Sequence, residues 1–169
     1  MTDSCFADRA TIERTPTHAA ALDCLAAGID AALPASVVDE AVAVEGDRLS
    51  IADVDGTTTS VDLDAYDRIL LLGAGKAADG LASALVKRLG GRIDGGAVVT
   101  TDPDDGAGEP FAMLPGDHPR PTARGAESAT RVREIAGAAG ERDLVLVALT
   151  GGGSAILAAP PDGIPVAAL

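Results

Sequence analysis

Two stretches of this chain join an unbroken apolar run to a glycine turn and then to a helix-forming segment. The first is RILLLGAGKAADG, from Arg68 to Gly80, and the second is DLVLVALTGGGSAI, from Asp143 to Ile156. An unbroken apolar run is typical of a strand that is covered on both faces. Strands, glycine loops and helices in alternation favour a parallel sheet with helices on its two sides.

The segments around these stretches extend the alternation. We predict strands at Arg68–Leu72, Gly96–Thr100, Phe111–Leu114 and Asp143–Leu149. We predict helices at Thr15–Leu33, Lys76–Leu89 and Thr122–Ala139, the first and last capped by their threonines. Residues 34–63 read as a loop followed by a small hairpin, Leu49–Ala52 against Thr59–Leu63. The expected fold is α/β, a Rossmann-like three-layer sandwich with a mostly parallel sheet, incomplete at the C-terminus.

The first glycine loop fits the pattern G-x-G-x-x-A, with Gly73 and Gly75 as its glycines. After a strand and before a helix, this pattern is typical of a phosphate or dinucleotide site built from backbone N–H groups. It is not a Walker loop, because Leu70 and Ala77 stand where glycine and Ser or Thr would be needed. The alternative is a tight turn that needs glycine only for packing.

Lys76 follows this loop and is one of only two lysines, the other being Lys87, among thirteen basic residues. In the predicted first turn of a helix, a lysine opposes the helix dipole, so stability alone disfavours it. Its ammonium group suits a phosphate oxygen or a charge that develops in a transition state. We therefore predict a functional lysine, with a solvated lysine at the rim of a turn as the alternative.

The second glycine loop contains Gly151, Gly152, Gly153 and Ser154, and its backbone can form a second anion-binding site. The alternative is a flexible turn in which Ser154 caps a helix. An esterase nucleophile is excluded because Ile156 stands where G-x-S-x-G requires glycine. Because both loops follow parallel strands, we expect them to share one crevice at a topological switch point.

The loop PGDHPRP, stiffened by three prolines, presents His118 and Arg120. Beside two anion-binding loops, His118 would bind or polarise a small oxyacid, and Arg120 would pair with its carboxylate. The alternative is a rigid connector with an exposed histidine. Two histidines in the whole chain, without a cysteine cluster, do not predict a metal site.

Composition limits the partners of the chain. Its 26 acidic and 13 basic residues give a net charge of −13, which argues against nucleic acid or an anionic membrane as a partner. No apolar run reaches the roughly 18 residues needed to span a bilayer. Residues 1–14 are expected to form a flexible tail without the features of a secretory signal. Cys5 and Cys24 make no disulfide framework, which favours the cytoplasm, and the excess of acids and arginine indicates adaptation to salt.

Four segments, taken in order, resemble the glycerate 2-kinase family that carries a MOFRL C-terminal domain and is often labelled hydroxypyruvate reductase. They are HAAALDCLAAGIDAALP, LLLGAGKAADGLA, GDHPRPTARGAESATRVREIA and DLVLVALTGGGSAILAAPPDGIP. The resemblance covers residues 15–169 and only the first part of the family's N-terminal α/β domain. The composition resembles that of a haloarchaeal member.

The resemblance implies an ATP-dependent kinase that phosphorylates D-glycerate at its 2-hydroxyl, with Mg²⁺. It implies that Lys76 is catalytic, that Gly151, Gly152, Gly153 and Ser154 hold nucleotide phosphates, and that His118 faces the cleft between the domains. It also implies that the rest of the N-terminal domain and the MOFRL domain are absent, so that the chain is truncated and inactive alone. A second chain carrying the missing domain is then an expected partner.

Two further hypotheses remain open. A dehydrogenase that reduces hydroxypyruvate with NAD(P)H agrees with the G-x-G-x-x-A pattern, and Asp102 after the second predicted core strand would bind the ribose hydroxyl. A non-catalytic remnant is the other hypothesis, because phosphoryl transfer depends on parts of a cleft that this sequence does not contain.

Overall fold

A computed structural model describes residues 5–103, 110–161 and 163–169. The α-helices in these ranges are α1 (Arg9–Ile12), α2 (Pro16–Ala32), α3 (Pro34–Ala41), α4 (Ala78–Leu89), α5 (Ala123–Gly137) and α6 (Gly153–Ile156). The β-strands are β1 (Val42–Glu45), β2 (Arg48–Ala52), β3 (Thr58–Asp62), β4 (Arg68–Ala74), β5 (Gly95–Thr100), β6 (Ala112–Pro115) and β7 (Asp143–Leu149). Short 3₁₀ turns follow β3 and end the chain.

The main sheet has the strand order β6-β5-β4-β7, and all its neighbouring strands are parallel. From β4 the chain proceeds to one side through β5 and β6, then returns to the other side of β4 as β7. The strand order therefore reverses between β4 and β7, which is where ligands bind in open α/β sheets.

Two apolar clusters lie on opposite sides of the main sheet. On one side, Leu71 and Val98 pack with Ala78 and Leu89 of α4. On the other side, the cluster contains Leu72, Ala97, Val99, Val132 of α5 and Ile156 of α6. The alternation of apolar residues between the two clusters follows the two-residue period of a strand. The prediction of an α/β fold with helices on both sides of a parallel sheet is confirmed.

The predicted hairpin is present, with Leu49 opposite Val61 in the antiparallel pair β2–β3. The predicted loop before it is wrong, because residues 34–41 form α3 and Val42–Glu45 form β1, which pairs with β2. Pro34 occupies the first turn of α3, and the helix buries Val38. The adjacent valines of α3 favour strand over helix locally, so packing decides the structure of this segment.

Within the predicted tail, Arg9 begins the short helix α1 and bonds to Asp23 of α2 at 2.6 Å and to Glu13 at 2.9 Å. Helix α2 begins at Pro16, and the side chain of Thr15 accepts a hydrogen bond from the N–H of His18 at 3.2 Å, as expected for a cap.

Among the described residues no single helix is long and apolar enough to cross a membrane. Helices α2 and α3 pass that test of length and composition only when they are joined, and they are bent by 67° relative to each other.

An alanine at position 96 is expected to destabilise the fold strongly. Gly96 in β5 has φ +146°, and a Cβ atom there would lie 1.9 Å from the carbonyl oxygen of Leu71. We expect Gly96→Ala to lower the free energy of unfolding by about 3 kcal/mol or more, from backbone strain and overpacking. Urea unfolding measures this change.

Gly28→Ala is the matched control, because Gly28 lies in α2 and a Cβ atom at this position would have no neighbour within 4 Å. We expect this change to raise stability by about 0.5 to 1 kcal/mol, since alanine is the better helix former. Equal effects of the two substitutions would contradict the close approach of β5 to β4.

The ion pair between Arg68 and Asp143 is expected to make the free energy of unfolding depend on pH. The guanidinium of Arg68 donates to Asp143 at 2.6 and 2.8 Å, and the N–H of Gly140 donates to the same carboxylate at 2.7 Å. These bonds lower the pKa of Asp143 from 3.8 to about 2, and the bond from Arg68 has the largest effect.

Because this pKa is lower in the folded chain, the contribution of Asp143 to stability is complete above about pH 5 and is lost as the pH falls towards 2. Asp143→Asn should therefore flatten the fall of the urea midpoint over this range. Glu134→Gln, in an exposed pair with Arg131, serves as the control and should leave the profile nearly unchanged. Identical profiles for wild type and Asp143→Asn would rule out the ion pair as the cause.

Candidate functional site

The two glycine loops lie side by side at the carboxyl end of the main sheet. Ala74 and Leu149, the last residues of β4 and β7, are direct partners in the parallel ladder. Beyond them, the N–H of Thr150 donates to Ala74 O and the N–H of Lys76 donates to Gly151 O, both at 3.0 Å. The predicted meeting of the loops at the switch point is confirmed.

Glycine allows the first loop to approach the second closely. Gly75 has φ +140°, and a Cβ atom there would lie 2.1 Å from Thr150 Oγ1. At Gly73 a Cβ atom would lie 2.6 Å from the carbonyl oxygen of Ala148. Both glycines are therefore required for packing of β4 and its loop against β7, which is the role that the sequence left open as an alternative.

The N–H groups of the first loop all donate within the protein. The bonds run from Gly75 to Val99 O (3.1 Å), from Lys76 to Gly151 O (3.0 Å), from Ala77 to Thr150 Oγ1 (3.1 Å) and from Ala78 to Gly75 O (3.3 Å). Phosphate contacts from this loop would consequently come from the side chain of Lys76 and not from its backbone.

The N–H groups of the second loop are largely open. Gly153 donates to Thr150 O at 3.3 Å. Within the described parts of the chain, the N–H groups of Gly151, Gly152 and Ser154 have no hydrogen-bond acceptor. Free N–H groups on neighbouring residues of a glycine-rich turn are the donors from which backbone anion sites are built.

Lys76 lies beside these free donors. A Cβ atom placed on Gly152, whose φ is +90°, would lie 3.2 Å from Lys76 Cγ and 3.0 Å from His118 Cδ2. The glycine thus leaves a space between the lysine and the histidine, and a side chain at this position would fill it. Both side chains are exposed to solvent at the mouth of this space.

The predicted helical position of Lys76 is wrong, because α4 begins at Ala78 and Lys76 lies in the preceding turn. The cause is the pairing of the loops: Lys76 and Ala77 donate their N–H groups to the β7 side, and Ala77 has φ −119° and ψ 18°. The lysine still lies near the positive end of α4, where a negatively charged ligand would be favourable.

The proline-rich loop reaches the site from the side of β6. The N–H of Gly116 donates to Thr100 O at 2.8 Å, and a Cβ on Gly116 would lie 2.6 Å from Ile156 Cγ2. This anchoring brings His118, which precedes a cis peptide bond to Pro119, next to the second glycine loop. The proximity of His118 to Lys76 agrees with the predicted arrangement.

The carboxylate of Asp117, next to His118, is bound by two other side chains. Arg124 donates to its carboxylate at 2.6 Å, and the hydroxyl of Thr122 donates to it as well. These two donors, Arg124 first, lower the pKa of Asp117 below its usual value. The carboxylate is thus charged and paired, so it adds little repulsion towards an anion.

Arg120 lies exposed on the same loop. In the described ranges, no hydrogen bond or ion pair joins Arg120 to Lys76 or to either glycine loop. The structure therefore brings together Lys76, His118 and the second glycine loop, with Arg120 near them in sequence but unbound.

Ser154 does not cap α6, because the cap position belongs to Gly152 and no side chain bonds there. Its side chain is exposed and lines an open cleft of about 410 Å³ together with Pro119, Pro121 and Ala155. The cleft therefore joins the second glycine loop to the proline-rich loop that carries His118.

Thr150 is the residue that the sequence analysis undervalued. Its hydroxyl accepts the N–H of Ala77, its N–H donates to Ala74 and its carbonyl accepts from Gly153. One residue thereby fixes both loops relative to each other. A hydroxyl residue directly after a predicted core strand is the only local signal for this role.

Among the described residues, no group of three or more His, Cys, Asp or Glu side chains is arranged to hold a metal ion. The acidic residues nearest the site in sequence are Asp117, which is paired with Arg124, and Asp79, in the first turn of α4. Asp102, which the dehydrogenase hypothesis assigns to the ribose hydroxyl, is exposed after β5.

The family described as "Domain of unknown function (DUF4147)" matches residues 20–169. D-glycerate 2-kinase from Thermotoga maritima is 35% identical over 99 residues, which are 58% of this chain and 24% of the relative.

Two solved structures are similar to this one. A protein of Pyrococcus horikoshii OT3 matches 90% of this chain and 33% of its own, with a TM-score of 0.70 and 26% identity. Glycerate kinase from Thermotoga maritima matches 87% of this chain and 31% of its own, with a TM-score of 0.62 and 28% identity. The chain therefore spans about a quarter to a third of the length of these relatives.

These matches extend over the helices, the sheet and both glycine loops, and they confirm the resemblance to the glycerate kinases drawn from the sequence motifs. The chain belongs to the DUF4147 family, and it corresponds to the N-terminal portion of its glycerate kinase relatives.

Proposed function

We propose that this chain supplies the phosphate-binding half of the active site of an ATP-dependent D-glycerate 2-kinase. The observation that carries the proposal is the set of three free N–H groups at Gly151, Gly152 and Ser154, which lie beside Lys76. Backbone donors and a lysine ammonium together are suited to the charge of a phosphoryl group in transfer. The 35% identity to D-glycerate 2-kinase supports the same reaction.

Lys76 is proposed as the catalytic residue. Its ammonium group would stabilise the negative charge on the phosphoryl oxygens or on the attacking hydroxyl. The pairing of its N–H with Gly151 O keeps its backbone fixed, so that only the flexible side chain has to adapt to the ligand. Among the described residues Lys76 takes part in no ion pair, which leaves its charge available.

Residues of the proline-rich loop are proposed to bind glycerate. His118, beside Gly152, would donate a hydrogen bond to the carboxylate or to a hydroxyl of the substrate. Arg120 would pair with the carboxylate through its guanidinium. The open cleft next to Ser154 offers space for a small oxyacid.

The residues present fit ATP, because the free N–H groups of the second loop would hold its phosphates, with Gly73 and Gly75 needed to bring the first loop close. ATP would supply the transferred phosphoryl group. They do not fit Mg²⁺ held by the protein, since the described residues offer no suitable group of acids. The part of the relatives that this chain does not span is the proposed source of such groups. Without those groups, the isolated chain is proposed to be inactive.

The hydroxypyruvate reductase hypothesis is disfavoured by the first loop. A dinucleotide fingerprint binds pyrophosphate through the free N–H groups of its glycine turn. Here the N–H groups of residues 75–78 all donate to other residues of the protein. The G-x-G-x-x-A pattern is thus explained by close packing of the first loop against β7.

The proposed use of ATP agrees with a cytoplasmic location.

Removal of the lysine charge should weaken binding of ATP to the isolated chain. We expect Lys76→Ala to raise the Kd for ATP by about tenfold or more, which is the loss of roughly one charge-assisted contact. Isothermal titration with ATP and with NADH measures both affinities.

Lys87→Ala is the matched control, because Lys87 is the only other lysine and lies exposed in the last turn of α4. Its Kd for ATP should equal that of the wild type. Tighter binding of NADH than of ATP, or equal effects of the two lysine variants, would count against the kinase proposal.

Two substitutions of Thr150 should distinguish the contribution of its hydroxyl group from the contribution of its side-chain shape. Thr150→Val leaves the N–H of Ala77 without its acceptor, so we expect a loss of about 1 to 2 kcal/mol in the free energy of unfolding and weaker binding of ATP. Thr150→Ser retains the hydroxyl and should restore most of the affinity for ATP. A Val variant as stable as the Ser variant would contradict the role of this hydrogen bond.

A further inference from the structure

Within the described residues, no hydrogen bond of its own holds the ring of His118 in its place beside the second glycine loop. The backbone of residues 118–121 likewise makes no hydrogen bond in these parts of the chain. The ring is exposed, yet its Cδ2 atom lies only 3.0 Å from the place that a Cβ atom on Gly152 would take. The position of the ring therefore depends on how the two ends of the proline-rich loop are attached.

The beginning of this loop is fixed by three elements of the fold. The carbonyl of Pro115 accepts a hydrogen bond at 2.7 Å from the hydroxyl of Ser128, a buried residue of α5. The N–H of Gly116 donates to Thr100 O of β5 at 2.8 Å, and a Cβ atom on Gly116 would lie 2.6 Å from Ile156 Cγ2 of α6. Residues 115–116 consequently have little freedom to move.

Asp117 connects the residue before His118 to the first turn of α5. Arg124 donates to both oxygens of its carboxylate, from Nη2 at 2.6 Å and from Nε at 3.3 Å. The hydroxyl of Thr122 donates to the same carboxylate and accepts the N–H of Gly125 at 3.4 Å, which is the cap of α5. One side chain thus receives three donors from the start of the helix.

These bonds close the loop on itself. The bond between Asp117 and Thr122 joins the residue before His118 to the residue after Pro121. Between these two ends, the rings of Pro119 and Pro121 fix the backbone angle φ at their positions. Few conformations remain for the segment, and the ring of His118 is directed by its neighbours instead of by bonds of its own.

Stability alone does not explain this arrangement. The side chains of Arg124 and Asp117 are 53% and 32% exposed, and exposed ion pairs contribute little to the free energy of folding. The cap of α5 needs only the hydroxyl of Thr122. The main effect of the carboxylate is therefore on the shape of the loop.

We propose that Asp117 is a positioning residue, which holds the ring of His118 beside Gly152 before the substrate arrives. It does so through its bonds to Thr122 and Arg124. This inference rests on the proposed function, in which His118 binds glycerate. A ligand group that is already in place loses less conformational freedom on binding, so the substrate binds more tightly than it would to a mobile ring.

NMR spectroscopy of the 169-residue chain measures the position of the ring. In Gly152 an α-hydrogen points along the Cβ direction, so a nuclear Overhauser effect is expected between it and Hδ2 of His118. The chain has one other histidine, His18, which is exposed on α2 and serves as an internal reference. We expect the wild type to show this Overhauser effect and Asp117→Ala to lose it, with the signals of His18 unchanged.

Substitutions of arginine in α5 supply the controls. Arg124→Gln should also weaken the Overhauser effect, whereas Arg124→Lys keeps a charged donor and should retain part of it. Arg131→Gln is the matched control, because Arg131 lies in the same helix and pairs with Glu134 at 3.2 Å, and it should leave the effect unchanged. If Asp117→Ala is poorly folded, Arg124→Gln gives the second measurement.

Binding of D-glycerate distinguishes positioning from charge. We expect Asp117→Ala to raise the Kd for D-glycerate by about threefold to tenfold, which is the loss of one preorganised side chain. On electrostatic grounds alone, removal of a carboxylate beside an anion site would leave the affinity unchanged or increase it. The Kd for ATP should not rise in the same variant, because the N–H groups proposed to hold its phosphates belong to the second glycine loop.

Three outcomes would overturn the proposal. They are the absence of the Overhauser effect in the wild type, an effect of wild-type strength in both Asp117→Ala and Arg124→Gln, and a Kd for D-glycerate that does not rise when the effect is lost. An Overhauser effect that depends on Asp117, together with no binding of D-glycerate to the wild type, would support the positioning of the ring and contradict the proposed substrate role of His118. The two failures are therefore distinguishable.

Discussion

The parallel pairing of β4 with β7 determines where Lys76 and the second glycine loop lie relative to each other. At the start of the pair, Arg68 and Asp143 are joined by two hydrogen bonds, and along it Gly73 allows close contact with Ala148. At the end, Thr150 binds both glycine loops. A shift of this register by one residue would reverse the faces of β7 and separate the loops.

The pairing gives the two glycine loops different chemical roles. In the first loop, contact with β7 uses the backbone donors and leaves only the side chain of Lys76 directed outwards. In the second loop, the N–H groups of Gly151, Gly152 and Ser154 remain free. One loop thus contributes a mobile charge and the other a fixed set of dipoles, a combination that suits phosphoryl transfer better than hydride transfer.

The features that the sequence predicted well are those with strong local signals. β7 has its predicted bounds, Thr122 caps α5 and Gly90 ends α4 in a left-handed conformation, because apolar runs, capping threonines and terminal glycines act within a few residues. The segment of α3 lacked such a signal and takes its structure from packing. Whether the N–H groups of the first loop are free or bonded depends on residues of the second loop, about 75 positions further along the chain. No local sequence pattern indicates such a contact.

Charge pairing adds an argument about Lys76. All eight ion pairs of the described residues use arginine, and neither lysine takes part in one. The absence of an ion pair does not by itself distinguish Lys76, because Lys87 also has none. The distinction is the surroundings: Lys87 lies at the carboxyl end of α4, where a cation is favourable, whereas Lys76 precedes the amino end beside free N–H groups. An anion bound between Lys76 and those donors would interact favourably with both.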